Sequence, residues 1–285
     1  MQKKMRFFMC KVIAFMVLAV PSSVWGQAAP KTAEDFYNRA KGYYQQGDFD
    51  RAIADLTQAI KLSPNYVLAY EGRGDAYQNK EDYDRAIADY TKVIELNPNN
   101  EYAYGNRGYI YYYKGDLNRA IADFTQVIRL NPNAQVYNMR GDAYMGKKDF
   151  DSAIADYTQV IRLDPNNLPA YGKRGSAYNN KKDFDRAIAD YTQAIWINSN
   201  FALAYQERGN AYMGKKDLDR AIADFTQAIR LDPNNADDYY FRGLAYGMKN
   251  EIDRAIADFE MVLRINPYDS EAKEMLEEIR KERGR

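Results

Sequence analysis

The side chains best able to do chemistry in this sequence occur in register. Aspartates Asp55, Asp89, Asp123, Asp156, Asp190, Asp224 and Asp258 recur together with arginines Arg39, Arg73, Arg107, Arg140, Arg174, Arg208 and Arg242. A carboxylate beside a cation is a familiar acid–base element, but a catalytic site is needed only once. Seven copies of one pair instead predict a structural ladder of Arg–carboxylate bonds that fixes the registry of packed helices. The rest of the composition narrows the chemistry further. Histidine is absent, and the one cysteine, Cys10, lies in the N-terminal leader. Histidine-dependent triads, the usual zinc sites and thiol nucleophiles are therefore excluded from the processed chain. Glycines fall singly or in turns such as Gly47, Gly115, Gly146 and Gly214, without a phosphate-cradling loop. The pairs Lys147/Lys148, Lys181/Lys182 and Lys215/Lys216 read as solvated turn charges, with an anion-binding ridge as the alternative.

These residues are carried by an internal repeat of 34 residues whose blocks begin at Ala33, Val67, Glu101, Ala134, Leu168, Ala202 and Ala236. One step is a residue shorter, in the turn after Pro132. At the fourth and eleventh positions stand aromatic residues, Phe36 and Tyr43 in the first block and Tyr239 and Tyr246 in the last. The eighth position between them is glycine in six blocks and Ala40 in the first. This large, small, large stripe occupies one helical face, and the small residue admits a neighbouring helix. A second helix carries Ala-Ile-Ala-Asp and then a bulky residue: Leu56, Tyr90, Phe124, Tyr157, Tyr191, Phe225 or Phe259. Proline closes every block except the fifth, which has Ser199. Block five also departs at Trp196, where the others carry Lys, Glu or Arg. Packing under the looser turn is the expectation for that ring, and an exposed anchor is the alternative.

The ends differ from the blocks. Lys3, Lys4 and Arg6 precede an apolar run from Val12 to Val20 that is short for a spanning helix. Residues 1–26 therefore read as a secretory signal peptide cleaved after Gly26, followed by a linker over 27–32. A membrane anchor through residues 7–20 is the alternative. Without Lys3, Lys4, Arg6 and Lys11, the 40 basic residues fall four short of the 40 acidic ones, which gives no footprint for nucleic acid. Thr32 precedes Glu34 and Asp35 as a hydroxyl N-cap. Residues 270–285 hold a lone amphipathic helix through Ala272, Met275, Leu276 and Ile279, suited to cap the array.

A 34-residue helix-turn-helix unit with aromatics, a small residue, tyrosine, alanine and a closing proline at these positions resembles the tetratricopeptide repeat family. The resemblance covers seven repeats: 33–66, 67–100, 101–133, 134–167, 168–201, 202–235 and 236–269. It implies an all-α, right-handed superhelical solenoid of seven antiparallel helix-turn-helix repeats plus the C-terminal capping helix, with first helices lining a concave groove.

In that family ligands contact the second, fifth, ninth and twelfth positions of the first helix, with the thirteenth beside them. Here these positions include Tyr37, Lys41 and Tyr44, then Tyr102, Tyr109, Tyr112 and Tyr113, and further on Met145, Asn179, Asn210 and Met213. Block two contributes Leu68, Glu71, Asp75 and Gln78 to the same face. Tyrosine suits recognition through its stiff apolar body and hydroxyl, and packing on adjacent helices is the alternative role. The expectation is a non-catalytic scaffold or adaptor of the cell envelope, in periplasm or secreted, that binds a protein or peptide. No cofactor, metal or nucleic acid is called for. A self-assembling homo-oligomer without a peptide ligand is the runner-up.

Overall fold

The computed structural model describes residues 31–283, so the leader and its cleavage site lie outside the described residues. Among the described residues the secondary structure consists of fifteen α-helices joined by turns. The first helices of the hairpins are α1 (Ala33–Gln45), α3 (Val67–Asn79), α5 (Glu101–Tyr113), α7 (Ala134–Gly146), α9 (Leu168–Asn180), α11 (Ala202–Gly214) and α13 (Ala236–Met248). The second helices are α2 (Phe49–Leu62), α4 (Tyr83–Leu96), α6 (Leu117–Leu130), α8 (Phe150–Leu163), α10 (Phe184–Ile197), α12 (Leu218–Leu231) and α14 (Ile252–Ile265). The last helix, α15 (Ser270–Arg283), packs on α14 and buries Ala272 and Leu276. Two compact units divide the chain, residues 1–103 and 104–285. In the first unit α1 packs on α2, α2 on α3 and α3 on α4; in the second the same succession runs from α6 through α15.

Each hairpin closes because a glycine faces a ring. A Cβ added at Gly74, Gly108, Gly141, Gly175, Gly209 or Gly243 would come within 2.8 to 3.0 Å of the bulky residue sixteen positions later. Such a distance is tighter than van der Waals contact, so alanine is accommodated only if the Tyr or Phe ring shifts. In the first hairpin the bulky residue is Leu56, and Ala40 fits beside it. The roughly 1 kcal/mol that a mid-helix glycine costs is offset by close helix contact.

The ladder is present in every hairpin. Arg39, Arg73, Arg107, Arg140, Arg174, Arg208 and Arg242 each grip the aspartate of the second helix through Nε and Nη2 at 2.6 to 2.9 Å. In five hairpins Nη1 also donates to a threonine of the preceding one: Thr57, Thr125, Thr158, Thr192 or Thr226, at 3.0 to 3.1 Å. The guanidinium therefore ties one hairpin internally and to its neighbour.

Two turn features were not anticipated. The fifteenth position of each block has positive φ, at Gly47, Glu81, Gly115, Lys148, Lys182, Lys216 and Asn250. The first lysine of the turn also does more than meet solvent: Lys80, Lys181 and Lys215 pair with Asp50, Asp151 and Asp185 of the preceding hairpin, and Lys249 with Asp219 at 2.5 Å. Lys147 donates to Asn118 at 2.6 Å. The packing expected for Trp196 is overturned, since its side chain is 75% exposed. Its register position explains this. The equivalent residues in the other blocks are charged and point outward from the second helix.

Candidate functional site

On the first unit, α3 aligns Glu71, Asp75 and Gln78 at i, i+4 and i+7, which places them on one stripe. Asp75 is 7% exposed. Its Oδ1 accepts from the Tyr90 hydroxyl and its Oδ2 from the Tyr102 hydroxyl, both at 2.6 Å. Burial pushes the Asp75 carboxyl up to about 6; the two hydroxyl bonds oppose this, and Glu71 adds to it. Burial also raises the Glu71 carboxyl, against a 2.6 Å bond from the Asn100 amide.

The tyrosines expected to recognise a partner border this pair. Tyr37 is half-buried, tilts against Tyr66 at 5.4 Å, and has its hydroxyl pushed up to about 12 by burial, Tyr66, Glu71 and Asp75. Tyr44 packs edge-on against Phe49 at 5.3 Å and accepts from the Asn79 amide at 2.8 Å. Tyr102 is half-buried, and its hydroxyl is held in the protonated form by burial and by Asp75. Lys41 is half-buried on α1. In this unit the tyrosines thus combine packing with a polar network centred on a carboxylate.

The second unit carries a related arrangement in which Asn138 and Met145 stand where Glu71 and Gln78 do. Asp142, on α7 at the position equivalent to Asp75, accepts from the Tyr157 hydroxyl at 2.8 Å. Both its oxygens also bind Lys173 Nζ at 2.7 Å, and the same ammonium donates to Asn138 at 2.9 Å. Lys173 Nζ lies 5.9 Å from the centroid of the Tyr157 ring. Of the neighbouring tyrosines, Tyr109 and Tyr112 are half-buried and Tyr113 is 60% exposed. The Tyr112 hydroxyl is raised by burial, Asp142 and Tyr109.

Farther along this unit the face becomes neutral. Met145, Asn179, Asn210 and Met213 are half-buried. The Oδ1 of Asn179 is buried without a hydrogen-bond partner, in a block where Ser176 stands at the position of Asp75, and the buried hydroxyl of Tyr191 faces the Glu207 carboxyl. Met213 packs against the cluster of Tyr212, Ala221 and Phe225.

Sequence reasoning placed Glu71 and Asp75 on the ligand-facing positions but gave the recognition role to tyrosines. A signal was available, since block two alone has acids at both the fifth and ninth positions. No group of three or more metal-ligating side chains occurs among the described residues, and no helix among them is long and apolar enough to cross a membrane.

A paired-helix repeat with an invariant packing skeleton and a varied first-helix face defines a class, and sequence comparison assigns it. The tetratricopeptide repeat family profile matches residues 37–101, 106–167 and 138–202, and related profiles of the family match 209–250 and 89–122. The chain belongs to the tetratricopeptide repeat family. No curated protein matches it. Among solved structures, MamA is 31% identical over 60% of this chain and 94% of its own, with a TM-score of 0.56. The C-terminal part of a TPR repeat-containing protein from Cytophaga hutchinsonii covers 84% of this chain and 98% of its own at 17% identity, with a TM-score of 0.72. YrrB, described as a TPR protein with an unusual peptide-binding site, is 21% identical over 68% of this chain and 97% of its own, with a TM-score of 0.59.

Proposed function

We propose that the protein is an exported, non-catalytic adaptor that binds an extended peptide or a partner domain along its first-helix faces. The observation that carries this reading is the cluster of Tyr109, Tyr112 and Tyr113, which lies outside the repeating skeleton yet leaves aromatic surface open, with Tyr113 60% exposed. Large rings partly in water at ligand-facing positions supply contact area at low entropic cost. The peptide-binding site described for YrrB supports a peptide as ligand. Export rests on the basic and apolar leader.

The test is capture of partners from an envelope extract by the processed chain and by Tyr109→Ala/Tyr112→Ala. The double variant is expected to keep its helical content and to lose at least about 2 kcal/mol of binding. Retained binding with a collapsed melting temperature would assign these rings to the core. One observation favours a second reading, self-assembly: Trp196, 75% exposed, offers an apolar anchor on α10. Light scattering that gives a monomer for both the wild type and Trp196→Arg would remove that reading.

A further inference from the structure

We propose that the seventh hairpin and the capping helix form a pH-sensitive unit. Docked on α12 in acid, α13, α14 and α15 come away together as pH rises toward neutral, and ionisation of Asp238 releases them.

The junction between α12 and α13 carries the usual contacts. Phe241 stacks on Phe225 at 5.9 Å, Arg242 Nη1 donates to Thr226 at 3.0 Å, and Lys249 pairs with Asp219 at 2.5 Å. One position differs. The third residue of a first helix sits deep in such a junction: Ala69 packs with Leu56 and Ala59 of the preceding hairpin, and Ala272 of α15 packs with Phe259 and Val262 of α14. Buried apolar residues also fill this position at Ala103, Val136, Ala170 and Ala204. In the seventh hairpin it holds Asp238, fully buried.

An acid stands at the same position in one other block, the first, where no hairpin precedes it. There Asp35 is exposed and accepts the backbone N–H groups of Lys31 and Thr32 at 3.1 and 3.0 Å, which hold its carboxyl below the usual range. In α13 the N–H of Asn235 goes instead to the Asp232 carbonyl at 3.3 Å. Asp238 is left with the neutral Asn235 amide at 2.9 Å, and its Oδ1 has no partner. A residue suited to the open start of an array is thus closed inside a junction.

The surrounding charges oppose its ionisation. Burial, then Asp232 in the turn from α12 and Asp237 on α13 itself, push the Asp238 carboxyl up to about 7. The ladder carboxylates of the helices packed against α13, Asp224 on α12 and Asp258 on α14, are closed on Arg208 and Arg242. Because the docked state holds the proton more tightly than an opened one, undocking is disfavoured in acid, rises between about pH 4 and 7 and levels off above. Position in the array makes the response local. An interior hairpin has two junctions to lose, but this terminal unit has one, and repeat arrays open at their weakest interface. Within the unit, α13, α14 and α15 stay joined through Phe259, Val262 and Leu276.

Hydrogen–deuterium exchange of the full chain, read by mass spectrometry and corrected for the intrinsic rate, tests this between pH 5 and 7.5. Protection of α13, α14 and α15 is expected to fall at least about tenfold over that range relative to α9 and α10. Asp238→Ala restores the residue of the other junctions, and Asp238→Asn keeps the shape without the charge; both should remove the difference. A pH response shared equally by α9 through α15 overturns the inference, as does an Asp238→Asn chain that keeps the wild-type profile. Should Asp238→Asn fail to fold, Asp238→Ala and the wild-type profile decide.

Discussion

Each ladder arginine is held on more sides than the sequence implied. The pairing of Arg174 with Asp190 follows from its sevenfold recurrence, because only a structural role needs so many copies. The bond from Nη1 to Thr158 and the position of the guanidinium 5.7 Å from the Tyr171 ring were not legible, since they depend on how consecutive hairpins stack. Exposure then separates the copies. The Arg174 side chain is 17% exposed and that of Arg39, at the start of the array, 39%. Truncation leaves a carboxylate that is 7% exposed in both copies, but the deeper Arg174 also loses its packing and its bond to Thr158, whereas Arg39 is already partly solvated and contributes less. Arg174→Ala is therefore expected to cost about 3 kcal/mol and Arg39→Ala about 1 or less, read from urea unfolding midpoints. Equal losses would mean that both copies are solvated alike.

At the scale of the helix pair, the stripe of glycine against ring was the most legible feature, because a residue with poor helix propensity recurred where helices had to meet. The structure adds complementarity, with glycine where the partner is aromatic and Ala40 where it is Leu56. Gly209→Ala would bring a methyl group to 2.8 Å from Phe225. Overpacking of this kind costs about 1 to 3 kcal/mol. Phe225→Leu in the same chain recreates the first hairpin's pairing, so the double variant should be more stable than the sum of the single losses by at least about 0.5 kcal/mol. Strict additivity in chemical denaturation would show that the ring and the glycine do not constrain each other. The turns and Trp196 were less legible for a common reason. Positive φ is tolerated by Lys148, Lys182 and Lys216 as well as by Gly47, so residue type did not reveal it. Trp196 was assigned by residue type when its register among charged positions placed it in solvent.

The response of the whole chain to pH sets two groups of carboxylates against each other. Cap residues such as Asp48 and Asp116 are held below the usual carboxylate range by the backbone N–H and side chain of Arg51 and Arg119. Their stabilisation is present above about pH 4 and is lost as pH falls through their folded values. Asp75 and Asp238 act with opposite sign. Asp238 is fully buried at a position where Ala69, Ala103, Ala170 and Ala204 stand in other blocks; it accepts from Asn235 at 2.9 Å and leaves Oδ1 without a partner. Burial pushes its carboxyl up to about 7. A folded value above the unfolded one means the folded chain holds the proton more tightly, so stability declines as pH rises from about 4 to 7. Thermal stability should thus peak between about pH 4 and 6. Asp238→Ala removes the unpaired buried oxygen and should stabilise the chain by about 1 to 3 kcal/mol at pH 8, with the gain shrinking toward pH 5. Melting curves of the two proteins across that range measure it, and a gain independent of pH would mean that Asp238 does not titrate there.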